Sequence, residues 1–205
     1  MNSYSITADR RLEDLVRENA SLRAEIERLR SLSMTDALTG LPNRRYLEER
    51  LDAEVARAAR HRQPLAVMVI DVDDFKRVND TWGHAKGDEV LAWVAAFLRS
   101  QLRGSDVACR TGGDEFVVVL PATGRDGADD LAARLLSTLA SLRHEAHAAG
   151  RTPAEHPVKL SIGVAALGPG TGDPTSLLAA ADRAMYQVKA TTKRTRGGRV
   201  TRKSA

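Results

Sequence analysis

Apolar side chains recur at alternating spacings of three and four over the first 33 residues. This pattern is the a/d seam of a heptad repeat, and it predicts a coiled-coil helix over about residues 9–33 that pairs two chains in parallel. Asn19 falls at an a position, where a buried amide favours two strands, and Glu18 would pair with Arg23 of the partner subunit. The alternative is an amphipathic helix packed on its own domain. The seam residues are Leu12, Leu15, Asn19, Leu22, Ile26 and Leu29.

Beyond residue 33, helical periods alternate with short runs rich in Val and Ile, and a hairpin lies among the helices. This order predicts an α+β domain over residues 34–205, preceded by the coiled-coil domain of residues 1–33. The segment 65–70 is almost continuously apolar, which indicates a strand covered on both faces. An exposed loop is expected over residues 146–157. The predicted helices span residues 43–62, 88–101, 126–144 and 175–190, and the predicted strands span 65–70, 106–110, 116–120, 158–166 and 199–202.

Composition narrows the class of protein. The chain has 205 residues, of which 42% are hydrophobic and only 4% aromatic, so we expect one core built mainly from Ala, Val and Leu. No apolar run approaches the roughly 20 residues that span a bilayer, and residues 1–9 lack the apolar stretch of a secretory signal. The single cysteine, Cys109, fits a reducing compartment. We therefore expect a cytoplasmic protein without a membrane segment.

The formal net charge of +4 is unevenly distributed, because no acidic residue follows Asp182. A basic carboxyl terminus favours phosphates, whether those of a nucleotide, a nucleic acid or an anionic membrane, although a solvated tail is the simpler interpretation. A nucleic-acid-binding zipper is disfavoured, because the residues ahead of the heptads are of mixed charge and not a basic run. Nucleic acid is therefore not an expected partner.

Carboxylates directly follow the apolar segment 65–70. Alternation along a strand places Asp71 and Asp73 on one side. Carboxylates at the end of an apolar strand are costly unless a cation or hydrogen bonds satisfy them. Mg²⁺ commonly binds one or two carboxylates together with substrate phosphates, whereas the alternative role of such residues is to cap the next helix. We expect a metal at Asp71 and a helix cap from Asp73 or Asp74.

The predicted hairpin carries a second group of acids. Gly112 and Gly113 allow backbone angles that other residues avoid, and they let a large ligand approach the main chain. Asp114 and Glu115 follow, at the start of the next strand. Beside Asp71 they would form a cation site of the kind used for phosphoryl transfer. Taken alone, they are also typical of a surface hairpin.

Seven short motifs occur in an order that is highly specific in combination. They are TDALTGLPNRR (35–45), DVDDFK (71–76), NDTWGH (79–84), GD (87–88), RTGGDEF (110–116), SIGV (161–164) and ADRAMY (181–186) with Lys189. On these motifs the chain resembles the GGDEF family of diguanylate cyclases over roughly residues 34–199. The resemblance implies an α+β fold like the palm of nucleotidyl cyclases and polymerases, with a central, mostly antiparallel sheet surrounded by helices.

The resemblance implies an enzyme that condenses two GTP into cyclic di-GMP and releases two pyrophosphates, as a homodimer with one GTP in each half-site. Asp71, the backbone carbonyl of Val72, Asp114 and Glu115 would hold Mg²⁺ or Mn²⁺ against the phosphates. Asp114 or Glu115 would also help to deprotonate the attacking ribose 3′-hydroxyl, and the sequence does not divide the two roles. The need for two facing half-sites gives the coiled coil a purpose, because it raises the effective concentration of one half-site near the other.

The same resemblance implies which residues bind GTP. Asn79 and Asp88 would contact the guanine edge, since an amide and a carboxylate match its hydrogen-bonding groups. Backbone amides and basic side chains would bind the outer phosphates. Thr192 stands where the family pattern has glycine, and Lys193 stands where it has arginine. Lys193 therefore keeps a positive charge but lacks the bidentate guanidinium of arginine. The implied GTP-binding residues are Asp74, Phe75, Asn79, His84, Asp88, Lys189 and Lys193.

A further motif bears on regulation. Arg103 and Asp106 have the spacing of the family's inhibitory RxxD site, and Arg134 lies where the family often adds an arginine contact. The resemblance therefore implies product inhibition by cyclic di-GMP, whereas the alternative is a helix-end arginine paired with a strand-start aspartate. A second function is a non-catalytic receptor for GTP or cyclic di-GMP. The intact acidic signature argues against it, because a receptor does not need metal ligands.

Overall fold

The computed structural model describes residues 11, 15–23, 25, 29, 34–148, 158–168 and 171–197, without the side chains of residues 147 and 192–197. The chain forms two compact units, Met1–Met34 and Thr35–Ala205. In the first unit, the described residues between positions 11 and 29 are helical. Leu15, Leu22 and Leu29 of the predicted seam are each more than half exposed in the single chain. Leu12 and Ile26 lie outside the described residues.

The second unit contains five helices and four strands among its described residues. Short connections join most of them, and the longest one between described elements lies between Ala148 and Leu160. The elements are α1 (Arg44–His61), β1 (Leu65–Val72), α2 (Phe75–Trp82), α3 (His84–Gln101), β2 (Val107–Gly112), β3 (Glu115–Pro121), α4 (Arg125–Ala148), β4 (Leu160–Ala166) and α5 (Pro174–Gly197).

The four strands form one antiparallel sheet in the order β2-β3-β1-β4. Strand β1 is buried along its whole length, as expected for a strand covered on both faces. The register aligns Ile70 with Phe116 and Asp71 with Glu115 on β3. On its other side, β1 aligns Asp71 with Ser161 of β4. The predicted α+β class and antiparallel sheet are confirmed.

Alternation along β1 divides the core into two layers. Met68 and Ile70 pack with apolar residues of α3 and α4, whereas Val67 and Val69 pack with those of α1 and α5. Because side chains two residues apart share a face of the sheet, Asp71 lies on the face covered by α1 and α5. The buried strand thus delivers a carboxylate to the edge of that layer.

Helix α5 lies very close to strand β4 at Gly163. A Cβ atom added there would overlap the backbone nitrogen of Met185 and the carbonyl oxygen of Ala181. Since real Cβ atoms need ordinary van der Waals distances, only glycine fits at this crossing. The close approach fixes the height of α5 above the sheet, and α5 carries Asp182 and Lys189.

Some boundaries differ from those predicted. Helix α3 begins at His84, four residues before the predicted start. Gly83, with a φ of 82°, ends α2 and directly precedes α3, and it has no side chain to cap the new helix. Strand β1 continues to Val72. Helix α4 continues to Ala148, so residues 146–148 are helical and not part of a loop. Residues 149–157 and the predicted strand 199–202 lie outside the described residues.

We find no helix in the described part of the chain that is both long and apolar enough to cross a membrane.

Candidate active site

The hairpin between β2 and β3 turns on two residues, Gly113 and Asp114, while Gly112 pairs with Glu115. Gly113 has a φ of 50° and Gly112 a φ of 150°, both positive values that side-chain-bearing residues rarely adopt. The two glycines therefore allow the tight turn that was predicted. Its geometry leaves the Asp114 side chain at the tip and Glu115 at the start of β3.

Arg110 holds this turn in place. Its Nε and Nη2 atoms donate to the carbonyl oxygen of Gly113 at 3.1 and 2.8 Å. Its Nη1 atom donates to both carboxylate oxygens of Asp36, at 3.0 and 3.2 Å. The guanidinium therefore ties the hairpin to the segment that precedes α1, and both side chains of this ion pair are largely buried.

Asp36 is itself fixed by a turn. It accepts hydrogen bonds from the backbone nitrogen of Thr39 at 2.9 Å and from its hydroxyl at 2.6 Å. Burial raises the pKa of the Asp36 carboxyl, but the hydrogen bonds from Thr39 and Arg110 outweigh burial, so the pKa is lowered. The carboxylate is therefore held in its charged form. Sequence reasoning assigned no role to Asp36 or Arg110, because their pairing across 74 residues leaves no signal in local spacing.

Two predicted metal ligands face each other across neighbouring strands. Asp71 and Glu115 are directly aligned partners in the antiparallel pair, and such side chains lie on the same face of a sheet. The backbone nitrogen of Val72 donates to the carbonyl oxygen of Asp114 at 3.2 Å, which keeps the hairpin tip beside the end of β1. Asp71 is only 5% exposed. The fold thus brings the carboxylates of two distant motifs together, as their positions in the sequence suggested.

Two further contacts complete the end of β1. The ammonium of Lys189 donates to Oδ1 of Asp71 at 2.6 Å. The hydroxyl of Ser161 donates to Oδ1 of Asp73 at 2.6 Å. Strand β4 and helix α5 therefore each contribute one donor to the acids at the end of β1.

The predicted helix cap is wrong. Asp74 occupies the cap position of α2, but its side chain makes no capping hydrogen bond, and Asp73 bonds with Ser161. Asp74 has a φ of 59° and a ψ of 24°, a left-handed conformation, whereas capping side chains need an extended backbone to reach the first turn. The left-handed turn is invisible in the sequence, where Asp directly before a helix is a favourable cap.

The clustered acids shift one another's ionisation. Burial raises the pKa of Asp71, Lys189 lowers it, and Asp114 and Asp73 raise it, so the net shift is upward. Burial also raises the pKa of Glu115, and the charges of Asp71 and Asp114 raise it further. The pKa of Lys189 is raised, because the bond to Asp71 outweighs its partial burial. These directions describe a concentration of negative charge that a bound cation would relieve.

The donor set fits a metal that arrives with phosphate. Within the described ranges, no group of three or more His, Cys, Asp or Glu side chains is arranged to hold an ion. The aligned carboxylates of Asp71 and Glu115, with the nearby carbonyl of Val72, instead match the way Mg²⁺ binds, through one or two carboxylates and the phosphates of the substrate. The site is therefore suited to a metal–nucleotide complex and less suited to a free ion.

The predicted guanine-binding residues lie on the adjoining helices α2 and α3. Gly87 on α3 packs against Asn79 on α2, since an added Cβ would overlap Oδ1 of Asn79. That oxygen is buried and has no hydrogen-bond partner in the described structure, and a buried acceptor of this kind calls for a donor. Asp88 and His84 are exposed on α3. The structure thus brings Asn79 beside the turn of α3 that carries Asp88.

The three residues of the predicted inhibitory site line one cavity of about 520 Å³. Arg103 and Asp106 lie in the turn before β2, and Arg134 projects from α4. Asp106 accepts a bond from the backbone nitrogen of Arg103 at 3.1 Å, which braces the turn. Arg134 donates to the carbonyl of Gln101 at 2.9 Å. The carboxylate therefore has a structural role, and two guanidinium groups still border the same cavity.

Lys193 was also predicted to bind the substrate. Its backbone belongs to α5, but its side chain lies outside the described part of the structure.

Comparison with known proteins connects this geometry to a family. Residues 33–195 match the family model described as "Diguanylate cyclase, GGDEF domain". The response regulator PleD of Caulobacter vibrioides is 44% identical over 171 residues, which cover 82% of this chain and 37% of PleD. The diguanylate cyclase DgcP of Pseudomonas aeruginosa is 44% identical over 131 residues, which cover 64% of this chain and 20% of DgcP. The chain therefore spans well under half the length of these curated relatives.

Solved structures agree with the family match. The coiled coil and GGDEF domain of DgcB from Caulobacter crescentus, determined in complex with c-di-GMP, has 29% identity and a TM-score of 0.68, and the match covers 90% of this chain and 95% of that one. The GGDEF domain of TpbB from Pseudomonas aeruginosa has 40% identity and a TM-score of 0.65, with 75% and 92% of the two chains covered. The palm-like architecture expected from the sequence is confirmed.

Proposed function

Because the chain belongs to the GGDEF family of diguanylate cyclase domains, we propose that it joins two molecules of GTP into cyclic di-GMP and releases two pyrophosphates. The alignment of Asp71 with Glu115 beside the glycine turn carries this proposal. A buried carboxylate aligned with an exposed one beside a glycine-lined turn can hold a metal–triphosphate complex, whereas a surface hairpin has no reason to face a second acidic strand end.

Each half of the reaction forms one phosphodiester bond. The 3′-hydroxyl oxygen of one GTP attacks the α-phosphorus of the facing GTP, the bond from that phosphorus to the bridging oxygen breaks, and pyrophosphate leaves. The hydroxyl proton passes to Asp114 or Glu115. Both carboxylates lie at the β2–β3 turn, beside the end of β1.

Four groups would hold Mg²⁺ or Mn²⁺ in the loaded site. They are the carboxylates of Asp71, Asp114 and Glu115 and the backbone carbonyl of Val72. The ion supplies positive charge that neutralises the phosphate oxygens as the bond to the leaving group breaks. The protein contributes the fixed positions of these acids, which the register of β1 with β3 and the Arg110 contact to Gly113 determine.

The helices α2 and α3 would position the nucleotide. The buried, unpartnered Oδ1 of Asn79 and the carboxylate of Asp88 would accept from the N1 and N2 donors of guanine, which adenine lacks in that arrangement. His84 is placed near the same edge of α3. Backbone amides at Asp74 and Phe75, where α2 begins, would bind outer phosphates, because a helix amino terminus attracts anions.

Two half-sites must face each other, so the proposed enzyme is a homodimer with one GTP in each subunit. The exposure of Leu15, Leu22 and Leu29 in a single chain supports pairing through the amino-terminal helix, since an apolar seam of this kind is normally covered.

We further propose that cyclic di-GMP inhibits the enzyme through Arg103, Asp106 and Arg134. These residues border one cavity, and guanidinium groups suit both phosphates and guanine edges. The same cavity favours the second candidate function, a cyclic di-GMP receptor without catalysis. The two functions differ in whether the acids at Asp71 and Glu115 are used.

The test is to incubate the purified chain with GTP and Mg²⁺ and to measure cyclic di-GMP and pyrophosphate, with a phosphodiesterase present to remove the inhibitor. We expect two pyrophosphates for each cyclic di-GMP, and Asp71→Asn should lower the rate at least about a hundredfold. A verified dimer that forms no product under these conditions would exclude the cyclase. Binding of cyclic di-GMP by that inactive dimer would then establish the receptor.

A further inference from the structure

The ammonium of Lys189 lies 2.6 Å from Oδ1 of Asp71, the carboxylate at the centre of the proposed metal site. This contact joins α5 to β1 across 118 residues of sequence. The side chain of Asp71 is 8% exposed and that of Lys189 is 26% exposed, so the pair is largely removed from solvent. A cation bound through that oxygen would have to share it with Lys189 or take it, and one bound through Oδ2 would still lie beside the ammonium.

The surroundings explain why a counter-ion is needed at this point. A carboxylate with so little exposure is costly unless it is paired. Here the charges of Asp73 and Asp114 add to the repulsion on Asp71. Among the described residues, the acids are not arranged as a cage of three or more side chains that would hold a free ion. A metal without nucleotide would therefore have to bind against the charge of the ammonium group or displace it, and would gain few ligands in return.

We propose that Lys189 is a built-in counter-ion of the nucleotide-free site, which leaves Asp71 when a metal–nucleotide complex arrives and then contacts the phosphates. This inference rests on the proposed function and extends it to the order of events at the site. Binding is an exchange of ion pairs: the metal takes Asp71, and the lysine takes phosphate. Lysine suits this exchange because its charge is compact and sits on a flexible four-carbon stem.

The exchange couples the two ligands. Metal alone is opposed by Lys189, whereas the nucleotide supplies phosphate oxygens both to the metal and to the released ammonium. Coupling of this kind is reciprocal, so each ligand raises the affinity for the other. A residue with only a structural role would, on removal, weaken both kinds of binding. An exchanging counter-ion predicts effects of opposite sign.

The experiment compares the full chain with Lys189→Met in two binding measurements. Free Mn²⁺ without nucleotide is titrated by electron paramagnetic resonance, and 3′-deoxy-GTP, which lacks the attacking hydroxyl, is titrated at saturating Mn²⁺ by calorimetry. We expect Lys189→Met to bind free Mn²⁺ about three- to tenfold more tightly and the nucleotide about tenfold more weakly. The matched control is Lys86→Met, which removes a lysine from another 2.6 Å carboxylate pair, that with Glu89, and should change neither affinity.

Opposite shifts in the two titrations support the exchange. Unchanged or weaker binding of free Mn²⁺ by Lys189→Met would overturn it, and unchanged nucleotide binding would overturn the transfer of the lysine to phosphate. Lys189→Gln keeps a donor for Asp71 but no charge. It should likewise tighten the binding of free Mn²⁺ and weaken that of the nucleotide, and it replaces Lys189→Met if that variant does not fold. Both readouts are equilibrium binding, so failure to make cyclic di-GMP would refute the proposed function separately.

Discussion

Asp71 combines two properties that rarely occur together in one side chain. It is aligned within a buried strand and is only 5% exposed, yet its proposed role requires contact with a charged ligand. The conflict is resolved by position, because Asp71 is the next to last residue of β1 and its carboxylate meets Lys189 at the edge of the α1 and α5 layer. Pairing with an exchangeable counter-ion offsets the cost of burying the carboxylate, so the strand end stays folded before the ligand binds.

Asp36 gives a residue-scale prediction about stability and pH. Its pKa is lowered below the ordinary 3.8 because hydrogen bonds from Thr39 and Arg110 outweigh the effect of burial. A lowered pKa in the folded state means that the carboxylate stabilises the fold above pH 3.8 and that this stabilisation is lost as the pH falls through the folded-state pKa. Asp36→Asn should therefore cost about 1–2 kcal/mol of unfolding free energy at neutral pH.

Urea unfolding at pH 7 and at about pH 3 measures this effect, and the difference between Asp36→Asn and wild type should shrink at the lower pH. Asp129→Asn is the control, because Asp129 pairs with Arg125 at 2.7 Å on the helix surface, where ion pairs contribute little. It should cost less than about 0.5 kcal/mol at either pH. An equal loss in the two variants would show that the Asp36–Arg110 pair is not special.

Arg103 gives a second residue-scale prediction, about regulation. Arg103→Ala removes one guanidinium from the cavity it shares with Arg134, so cyclic di-GMP should lose a charged contact and inhibit about tenfold less strongly. Initial rates measured against added cyclic di-GMP give the inhibition curve. Arg125→Ala, which removes an exposed arginine paired with Asp129, is the control and should leave the curve unchanged. An unchanged curve for Arg103→Ala would make that arginine structural.

At the scale of elements, the crossing of α5 over β4 depends on Gly163. A Cβ atom there would overlap backbone atoms of α5, which cannot move aside as a flexible side chain could. Gly163→Ala should therefore lift the helix, lower the free energy of unfolding by about 2–3 kcal/mol, and move Lys189 away from Asp71. Urea unfolding measures the loss of unfolding free energy.

The matched substitution is Gly168→Ala, since an added Cβ at Gly168 meets no atom within 4 Å. It should change the unfolding free energy by less than about 0.5 kcal/mol. If Gly163→Ala proves equally mild, the helix has another way to accommodate a methyl group and the proposed constraint is wrong.

The hydrophobic pattern predicted most elements because each has a single dominant signal. Strand β1 is an unbroken apolar run, and α1 has one apolar face and ends close to its predicted limits. The start of α3 was placed too late because its first turn contains Lys86 and Gly87 and follows a glycine without a side-chain cap. The hydrophobic pattern follows buried positions, so it does not indicate where an exposed helix end lies.

The candidate site also has a part that the sequence predicted and a part that only the structure shows. The acids at Asp71 and Glu115 were predicted to meet because each stands next to a buried strand, and the sheet register brings them together. The contacts of Lys189 with Asp71 and of Arg110 with Asp36 span 118 and 74 residues, and only the folded chain reveals them. Local chemistry thus predicted which acids come together, whereas the residues that hold and balance them depend on tertiary structure.

For the whole molecule, the proposed reaction needs two chains, so the amino-terminal helix should control activity through assembly. Leu22 lies at a predicted d position and is 56% exposed in the single chain. Leu22→Glu would place two like charges in one layer of the seam, which should raise the dimer dissociation constant at least about tenfold. Deletion of residues 1–33 should have a larger effect of the same kind.

Mass photometry and cyclase rates, measured over a range of protein concentrations, test whether the amino-terminal helix controls activity through dimer assembly. Activity per chain should fall at low concentration in Leu22→Glu and recover at high concentration, because each half-site remains intact and only the encounter becomes rarer. Ser21→Glu, at the neighbouring position outside the seam, should assemble and react like wild type. If Leu22→Glu and the deletion keep full mass and activity at low concentration, the two half-sites must be held together by the domain of residues 34–205, and the helix must serve another purpose.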